Sequence, residues 1–331
     1  MGPVPKWESL LTFCMYILAV PILILFLLLV TVLLVIWGHW KIALVVLILT
    51  IWLNKTTQTY PVDLFYEEEW QAEPQDSTTF SFLTYNVAGE HPDPMKIFLD
   101  SIYPDMMILQ ESGHWERGFK IVKHYPYYEG DVILSKYPVE NLHRIQLKED
   151  DPRWETVVDS VYNPKNQFQL YPTVYGMDVL HPSGKIHVIA CHLRSNQYTV
   201  ARRNMEPGQE WSDGLDEYLR RTEFGYRCRA IQADLIRQEL DSIGDVPTIV
   251  AGDFNDISGS YALKTIQGTQ LKDAWWEGGS GFGVTYHAYN IFLRLDHVLY
   301  SRHFNLHHIQ VLDQAKWSDH YPLLGIFSFQ K

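Results

Sequence analysis

The hydrophobic pattern splits the chain into two unlike parts. Residues 10–37, LLTFCMYILAVPILILFLLLVTVLLVIW, form a run of 28 positions without a charge. As helix this is about 42 Å, longer than a hydrocarbon core of about 30 Å. Gly38-His39-Trp40-Lys41 interrupts it, and a second apolar run, IALVVLILTIWL, covers 42–53. The second run is short for a span, but Trp40 and Trp52 suit an interface and Lys41 can snorkel. The pattern predicts a membrane anchor over residues 1–54, read as a transmembrane helical hairpin. One span followed by an interfacial helix is the alternative. A cleaved signal peptide fits poorly, because the run exceeds an h-region and no small-x-small site follows. The basic residues are too few and too even to orient the anchor.

Periodicity then stops. Residues 55–77, with Glu67-Glu68-Glu69, Pro61 and Pro74, read as an acidic linker. From 79 short β-rich runs alternate with helical spacing. Strands are expected at TFSFLTYNV (79–87), DMMILQE (105–111), DVILS (131–135), YGMDVL (175–180), KIHVIACH (185–192), PTIVAGDFN (247–255), RLDHVLY (294–300), HHIQVL (307–312) and HYPLLGIFSF (320–329). Helices are expected around 94–101 and over 223–243, where Ile231, Leu235 and Ile236 share a face. Near-continuous apolar strands with helices between them point to an α/β domain over 78–331, its sheets buried on both faces. Between them lies a polar stretch, 195–222, read as a long loop.

Charge changes the picture of partners. Only Lys6, Lys41, Lys55 and Glu8 are charged in residues 1–60, which leaves 24 basic and 38 acidic residues beyond them, a net charge of −14. That sign is wrong for a protein that grips nucleic acid by neutralising many phosphates. Cys14 lies in the apolar run, and Cys191 and Cys228 are too far apart in sequence to suggest a disulfide framework or a spaced metal site. Both are read as small buried residues.

Polar residues stand out where the apolar strands stop. Asn86 and Glu111 end the first two, and His192 ends the fifth. Asp253 and Asn255 follow TIVAG, Asp296 lies in the next strand, and Asp319-His320 opens the last. Each alone has a plain explanation as a turn former, a capping acid or a satisfied core histidine. Their recurrence at strand ends is harder to dismiss. "TYNVAG", "LQES", "GDVILSKYPV", "CHLRSN", "VAGDFND", "RLDHVLY" and "SDHYPLLG", in that order, resemble the endonuclease/exonuclease/phosphatase superfamily over roughly 79–329. The resemblance implies a four-layer sandwich, two mixed β-sheets face to face with helices outside, here preceded by the hairpin.

It also implies roles. Glu111 would be the principal metal ligand, with Asn86 beside it and Asp319 as a ligand or an acceptor from a metal-bound water. Asp253 would bind or deprotonate the attacking water, and Asn255 would orient it or a phosphate oxygen. His192 would donate to the phosphoryl group, while His320 faces it with Asp296 on its other ring nitrogen. The general base stays open between Asp253 and the His320–Asp296 pair. Oxygen ligands suit Mg²⁺, or Mn²⁺ in its place. Arg194, Asn196, Arg202 and Arg203, after the His192 strand, are candidate substrate-binding residues. His297 is read as structural, on the opposite face of its strand.

The expected function is therefore a membrane-tethered, Mg²⁺-dependent phosphoester hydrolase, specifically a phosphodiesterase. Its substrate would be a lipid headgroup, a small phosphoester or nucleic acid, and its partner the lipid bilayer. The alternative is a catalytically silent binding or scaffold protein on the same fold.

Overall fold

Burial along Thr79–Asn86 (β1) alternates at first and then becomes continuous, as in a strand covered on both faces. The computed structural model describes residues 20–57, 77–89, 92–112, 125–129, 133–148, 151–153, 173–196, 211–288 and 292–330. After β1 come β2 (Met106–Gln110), β3 (Tyr127–Glu129), β4 (Ile133–Ser135), β5 (Val139–Arg144) and β6 (Thr173–His181). They are followed by β7 (Gly184–His192), β8 (Thr248–Asp253), β9 (Leu271–Asp273), β10 (Asp296–Ser301), β11 (Phe304–Val311) and β12 (Leu323–Phe329). One sheet has the order β11-β12-β1-β2-β4-β3 and the other β5-β6-β7-β8-β10-β9. Each is mixed, with the central pairs β1–β2 and β7–β8 parallel and the remaining pairs antiparallel.

The helices are α1 (Val20–Ile36), α2 (Trp40–Thr57), α3 (Asp93–Ile102), α4 (Trp211–Ile243), α5 (Tyr261–Gln267) and α6 (Ala274–Gly278). Strand parity sorts the side chains into layers. Phe80, Phe82, Met106 and Ile108 meet Val188, Ala190, Ile249, Ala251 and Val298 between the sheets. Their odd-numbered neighbours Leu83, Tyr85 and Met107 turn outward onto Met95 and Leu99 of α3. On the far side Ile189, Val250 and Leu299 pack against Ala233, Ile236 and Leu240 of α4 and against α5. Two mixed sheets flanked by helices thus replace the bare list of strands. Cys191 and Cys228 are buried free thiols, as their spacing suggested.

Three strands had no forecast. β3 and β9 are three residues each, and β5 is an edge strand with a mostly exposed pattern. The polar stretch 195–222 is not one loop. Residues 211–222 are the first turns of α4, whose 33 residues begin well before the helix expected from 223; residues 197–210 lie outside the described residues. The predicted linker falls mostly on 58–76, also outside them, and α2 runs on to Thr57.

α1 and α2 fold back on one another through Gly38, whose φ of 79° suits the reversal. Among the described residues, no helix is long and apolar enough to cross a membrane. The described α1 is 17 residues, and the first ten positions of the charge-free run, 10–19, lie outside the description.

Candidate active site

Register delivers most of the site. The parallel β7–β8 ladder sets His192 beside Asp253, and the antiparallel β8–β10 ladder sets Asp253 beside Asp296. These three share the parity of Ala190, Ala251 and Val298, so they face the other sheet at one end of the intersheet core. Across from them Asn86 ends β1 with the same parity as Phe80 and Phe82, and Glu111 follows directly after β2. His320 is held at the entrance to β12 by a bridge to Tyr286, whose ring stands edge-on to the imidazole at 5.1 Å. Three turns here take left-handed backbone at non-glycine residues: Ala88 (φ 50°), Glu111 (φ 56°) and Asn255 (φ 48°). Such conformations persist only where surrounding bonds over-determine them. At the first two, Gly89 N donates to Glu111 O at 3.1 Å and Val87 N to Gln110 O at 3.0 Å.

The side chains converge. Asn86 Nδ2 donates to Asp253 Oδ2 at 3.0 Å and to Glu111 Oε1 at 3.3 Å. His192 Nε2 lies 3.5 Å from Glu111 Oε1 and 3.9 Å from Asp253 Oδ2. Asp253 Oδ1 accepts from Asn255 N at 2.7 Å, and its Oδ2 accepts from Asn255 Nδ2 at 3.0 Å. His320 Nδ1 donates to Asp296 Oδ2 at 2.7 Å, and its Nε2 stands 3.8 Å from Asp253 Oδ2. The backbone N–H groups of Leu295 and Asp296 both donate to Thr285 Oγ1 at 3.0 Å, which fixes the carboxylate under the ring.

Electrostatics follow from burial. Burial by itself drives the His320 imidazole down, but the Asp296 and Asp253 carboxylates, with Asp319 nearby, outweigh it and raise it to about 10. The ring is thus a cation at neutral pH. Asp253 is raised, because burial disfavours its charge more than the cationic ring beside it restores.

Among the described residues one group of side chains could hold a metal. Ligand atoms of Asp253, Asp296 and His320 lie within 4.8 Å of one another, and Asp296 Oδ1 is buried without a hydrogen-bond partner. A cation shared by all three would compete with the 2.7 Å bond between His320 and Asp296. Glu111, expected as the principal ligand, is not part of that group; it stands at the mouth beside it, next to His192 and Asn86. Glu111 is 47% exposed there, open enough for an ion that keeps several waters. Asn86 turns its amide nitrogen to both acids, while its oxygen accepts from Ala88 N at 3.0 Å. As placed it orients ligands.

The remaining candidates divide. Arg194 lies over the Phe224 ring at 5.6 Å, and Asn196 Oδ1 accepts from Arg229 Nη1 at 2.8 Å. Both turn to α4 and away from the acid cluster. Arg202 and Arg203 lie outside the described residues. His297 is fully buried on the outer face, where Arg294 Nη1 donates to its Nδ1 at 3.1 Å and its Nε2 donates to Asp256 O at 3.0 Å. Ser318, which the sequence suggests only as a packing residue, has a positioning part. Its hydroxyl donates to Asn86 O at 2.7 Å and accepts from His320 N at 3.2 Å, tying the end of β1 to the entrance of β12, its neighbour in the same sheet. Thr285 and Tyr286, which the sequence does not suggest, lie in a loop without a pattern to mark them.

Comparisons with known proteins bear on the family and the fold. The Endonuclease/Exonuclease/phosphatase family profile matches residues 83–320. An endonuclease/exonuclease/phosphatase from Bacteroides vulgatus is 17% identical and superposes with a TM-score of 0.52, over 76% of this chain and all of that one. A humanized D. rerio TDP2 is 15% identical with a TM-score of 0.50, over 76% of this chain and 99% of that one. At these identities the likeness is one of fold. No curated protein matches the chain.

Proposed function

Because the chain belongs to the Endonuclease/Exonuclease/phosphatase family, we propose that it is a metal-dependent phosphodiesterase held at a lipid bilayer by residues 1–54. One observation carries the reading: a cationic His320 on Asp296, Asp253 between two amides, His192, and the Glu111 mouth meet at one end of the sandwich. Phosphoryl transfer needs positioning and charge stabilisation above all, and this arrangement supplies both.

Asp253 accepts the proton of the attacking water as its oxygen bonds to phosphorus, and its raised affinity for a proton suits that task. Asn255 and Asn86 fix the Asp253 carboxylate by donating to it. His192 donates to a phosphoryl oxygen. His320 faces the same group as a cation and returns a proton as the leaving oxygen departs with the bonding pair. Mg²⁺, or Mn²⁺, held by Glu111 and Asp319, would supply charge neutralisation at the phosphoryl oxygens.

Tethering is supported by exposure. Of 22 large apolar side chains exposed among the described residues, 18 lie on or between α1 and α2. The net charge of −14 beyond residue 60 favours lipid or small phosphodiesters over nucleic acid. A groove lined by Phe282, Val284, Phe292 and Tyr321 adds apolar surface of the kind acyl chains need. The test is a substrate panel on the full chain in detergent with Mg²⁺: sphingomyelin, phosphatidylinositols, bis-p-nitrophenyl phosphate, RNA and DNA. Hydrolysis of a lipid or small phosphodiester, lost in Asp253→Asn, is the expected result. Tight binding without turnover on every substrate would instead favour the silent binding protein.

A further inference from the structure

A second cluster of chemistry-bearing side chains lies on the other face of the same sheet. His187 precedes His192 by five residues on β7, about 16 Å along the strand, and has the opposite parity. It points toward α4, where Glu239 Oε1 stands 3.9 Å from its Nε2. The same Glu239 oxygen is 3.1 Å from Nε2 of His143 on β5. One carboxylate oxygen therefore lies between two imidazole nitrogens from two different strands.

The other ring nitrogens are committed. His187 Nδ1 donates to Asp178 Oδ1 at 3.0 Å, and His143 Nδ1 donates to Asn141 O at 2.8 Å. Asp178 is itself fixed, since its Oδ2 accepts from Asn141 Nδ2 at 2.8 Å and Lys185 Nζ at 2.9 Å. These bonds hold the Asp178 carboxyl down to about 2 against the opposing effect of burial, so it stays an acceptor. Metal-binding histidines are oriented in this way, with a carboxylate or a backbone carbonyl on the nitrogen that does not ligate. His187 Nε2 has no hydrogen-bond partner although the residue is only 6% exposed. A buried ring nitrogen aimed at a carboxylate and left unsatisfied calls for a partner.

The backbone is shaped for the arrangement. A register shift between Glu140 and His143, with Asn141 at φ 56°, bulges β5 and re-aims His143. The ring then lies over Gly176 of β6, where a Cβ would come within 2.6 Å of His143 Cε1. We propose that His143, His187 and Glu239 form a site for a borderline divalent ion such as Zn²⁺, separate from the acid cluster, that clamps edge strand β5 to α4. Two imidazoles and one carboxylate are a zinc-type set with a fourth position left for water, and Mg²⁺ would not choose it. Zinc ligands stand roughly 3.3 Å apart, from bonds of about 2.0 Å at tetrahedral angles. As placed, the three donors do not all lie within 4.8 Å of one another, so binding requires the half-exposed His143 ring and the Glu239 carboxylate to shift toward His187.

Full-length protein in detergent, stripped of metal and then saturated with Mg²⁺, should take up Zn²⁺ at a site that His143→Gln and Glu239→Gln each remove. One fewer zinc equivalent per chain is the expected readout in either variant. Co²⁺ in place of Zn²⁺ should give the intense visible absorption of a four-coordinate ion in the wild type and lose it in both variants. Zinc should also raise the melting temperature of the wild type and not that of His143→Gln. Because His143 is half-exposed, that variant is expected to fold. Equal zinc uptake and equal cobalt spectra in wild type and variants would overturn the proposal, as would no uptake by the wild type. None of these readouts depends on hydrolytic activity.

Discussion

At the scale of single residues, the His320–Asp296 pair decides most. Asp296 is fully buried, and a 2.7 Å bond to Nδ1 fixes both the tautomer and the charge of the ring. Asp296→Asn keeps the shape but removes the charge, so it should cost on the order of 10²–10⁴ in kcat with little change in KM, as for orienting acids elsewhere. Steady-state kinetics of the double variant with His320→Ala should show it scarcely worse than His320→Ala alone, because the pair acts as a unit. Additive losses would separate the two. The pair also links stability to pH. The folded-state value of His320 is raised from 6.5 to about 10, so the stabilisation is complete below pH 6.5 and is lost as pH rises through about 10. In metal-free protein, melting temperatures of wild type and His320→Asn should therefore differ most below pH 6.5 and converge toward pH 10. A gap that widened with pH would contradict this sign.

Among the elements, the β7–β8 ladder carries the site, and one glycine permits it. Gly252 sits at φ 140°, and a Cβ there would lie 1.8 Å from Cys191 O. Gly252→Ala must push β8 from β7 and separate Asp253 from His192. It should lower the melting temperature by roughly 10 °C, the shift that follows from a loss of about 3 kcal/mol. Gly244→Ala, at φ 74° with nothing within 4 Å, meets only backbone strain and should cost far less. Equal shifts in the two would show that the close approach does not matter. Elements of this kind were legible in the sequence wherever a long apolar run ended in a polar residue, which is why Asn86, Glu111, His192 and Asp253 could be picked out. Other elements gave no such signal. β5 alternates too little to mark a strand, and β3 and β9 are too short; in the first turns of α4 the helical spacing of Trp211, Leu215, Tyr218 and Leu219 was present but diluted by charged residues. The positioning part of Ser318 was hidden for another reason: its partner, the Asn86 carbonyl, is 232 residues away, and a side chain-to-backbone bond leaves no pattern.

For the whole molecule, the proposed function joins an acidic domain to an apolar pair of helices. Exposed apolar side chains on α1 and α2 need a nonaqueous partner, and a bilayer is the proposed one. Carbonate washing of membranes should leave the full chain in the pellet, and extraction into the supernatant would count against the anchor. On the proposed reading, an enzyme held at a bilayer with a net charge of −14 beyond residue 60 would meet its substrate by confinement to the surface more than by long-range attraction. What makes it an enzyme at all, on this account, is the divalent ion at the mouth of the acid cluster. The most direct test is hydrolysis of bis-p-nitrophenyl phosphate by metal-stripped full-length protein, titrated with Mg²⁺, for wild type and Glu111→Gln. The account predicts no turnover without metal, recovery on adding Mg²⁺, and a variant that stays folded but is inactive or needs far more Mg²⁺. Full turnover after metal removal, unchanged by Glu111→Gln, would contradict it.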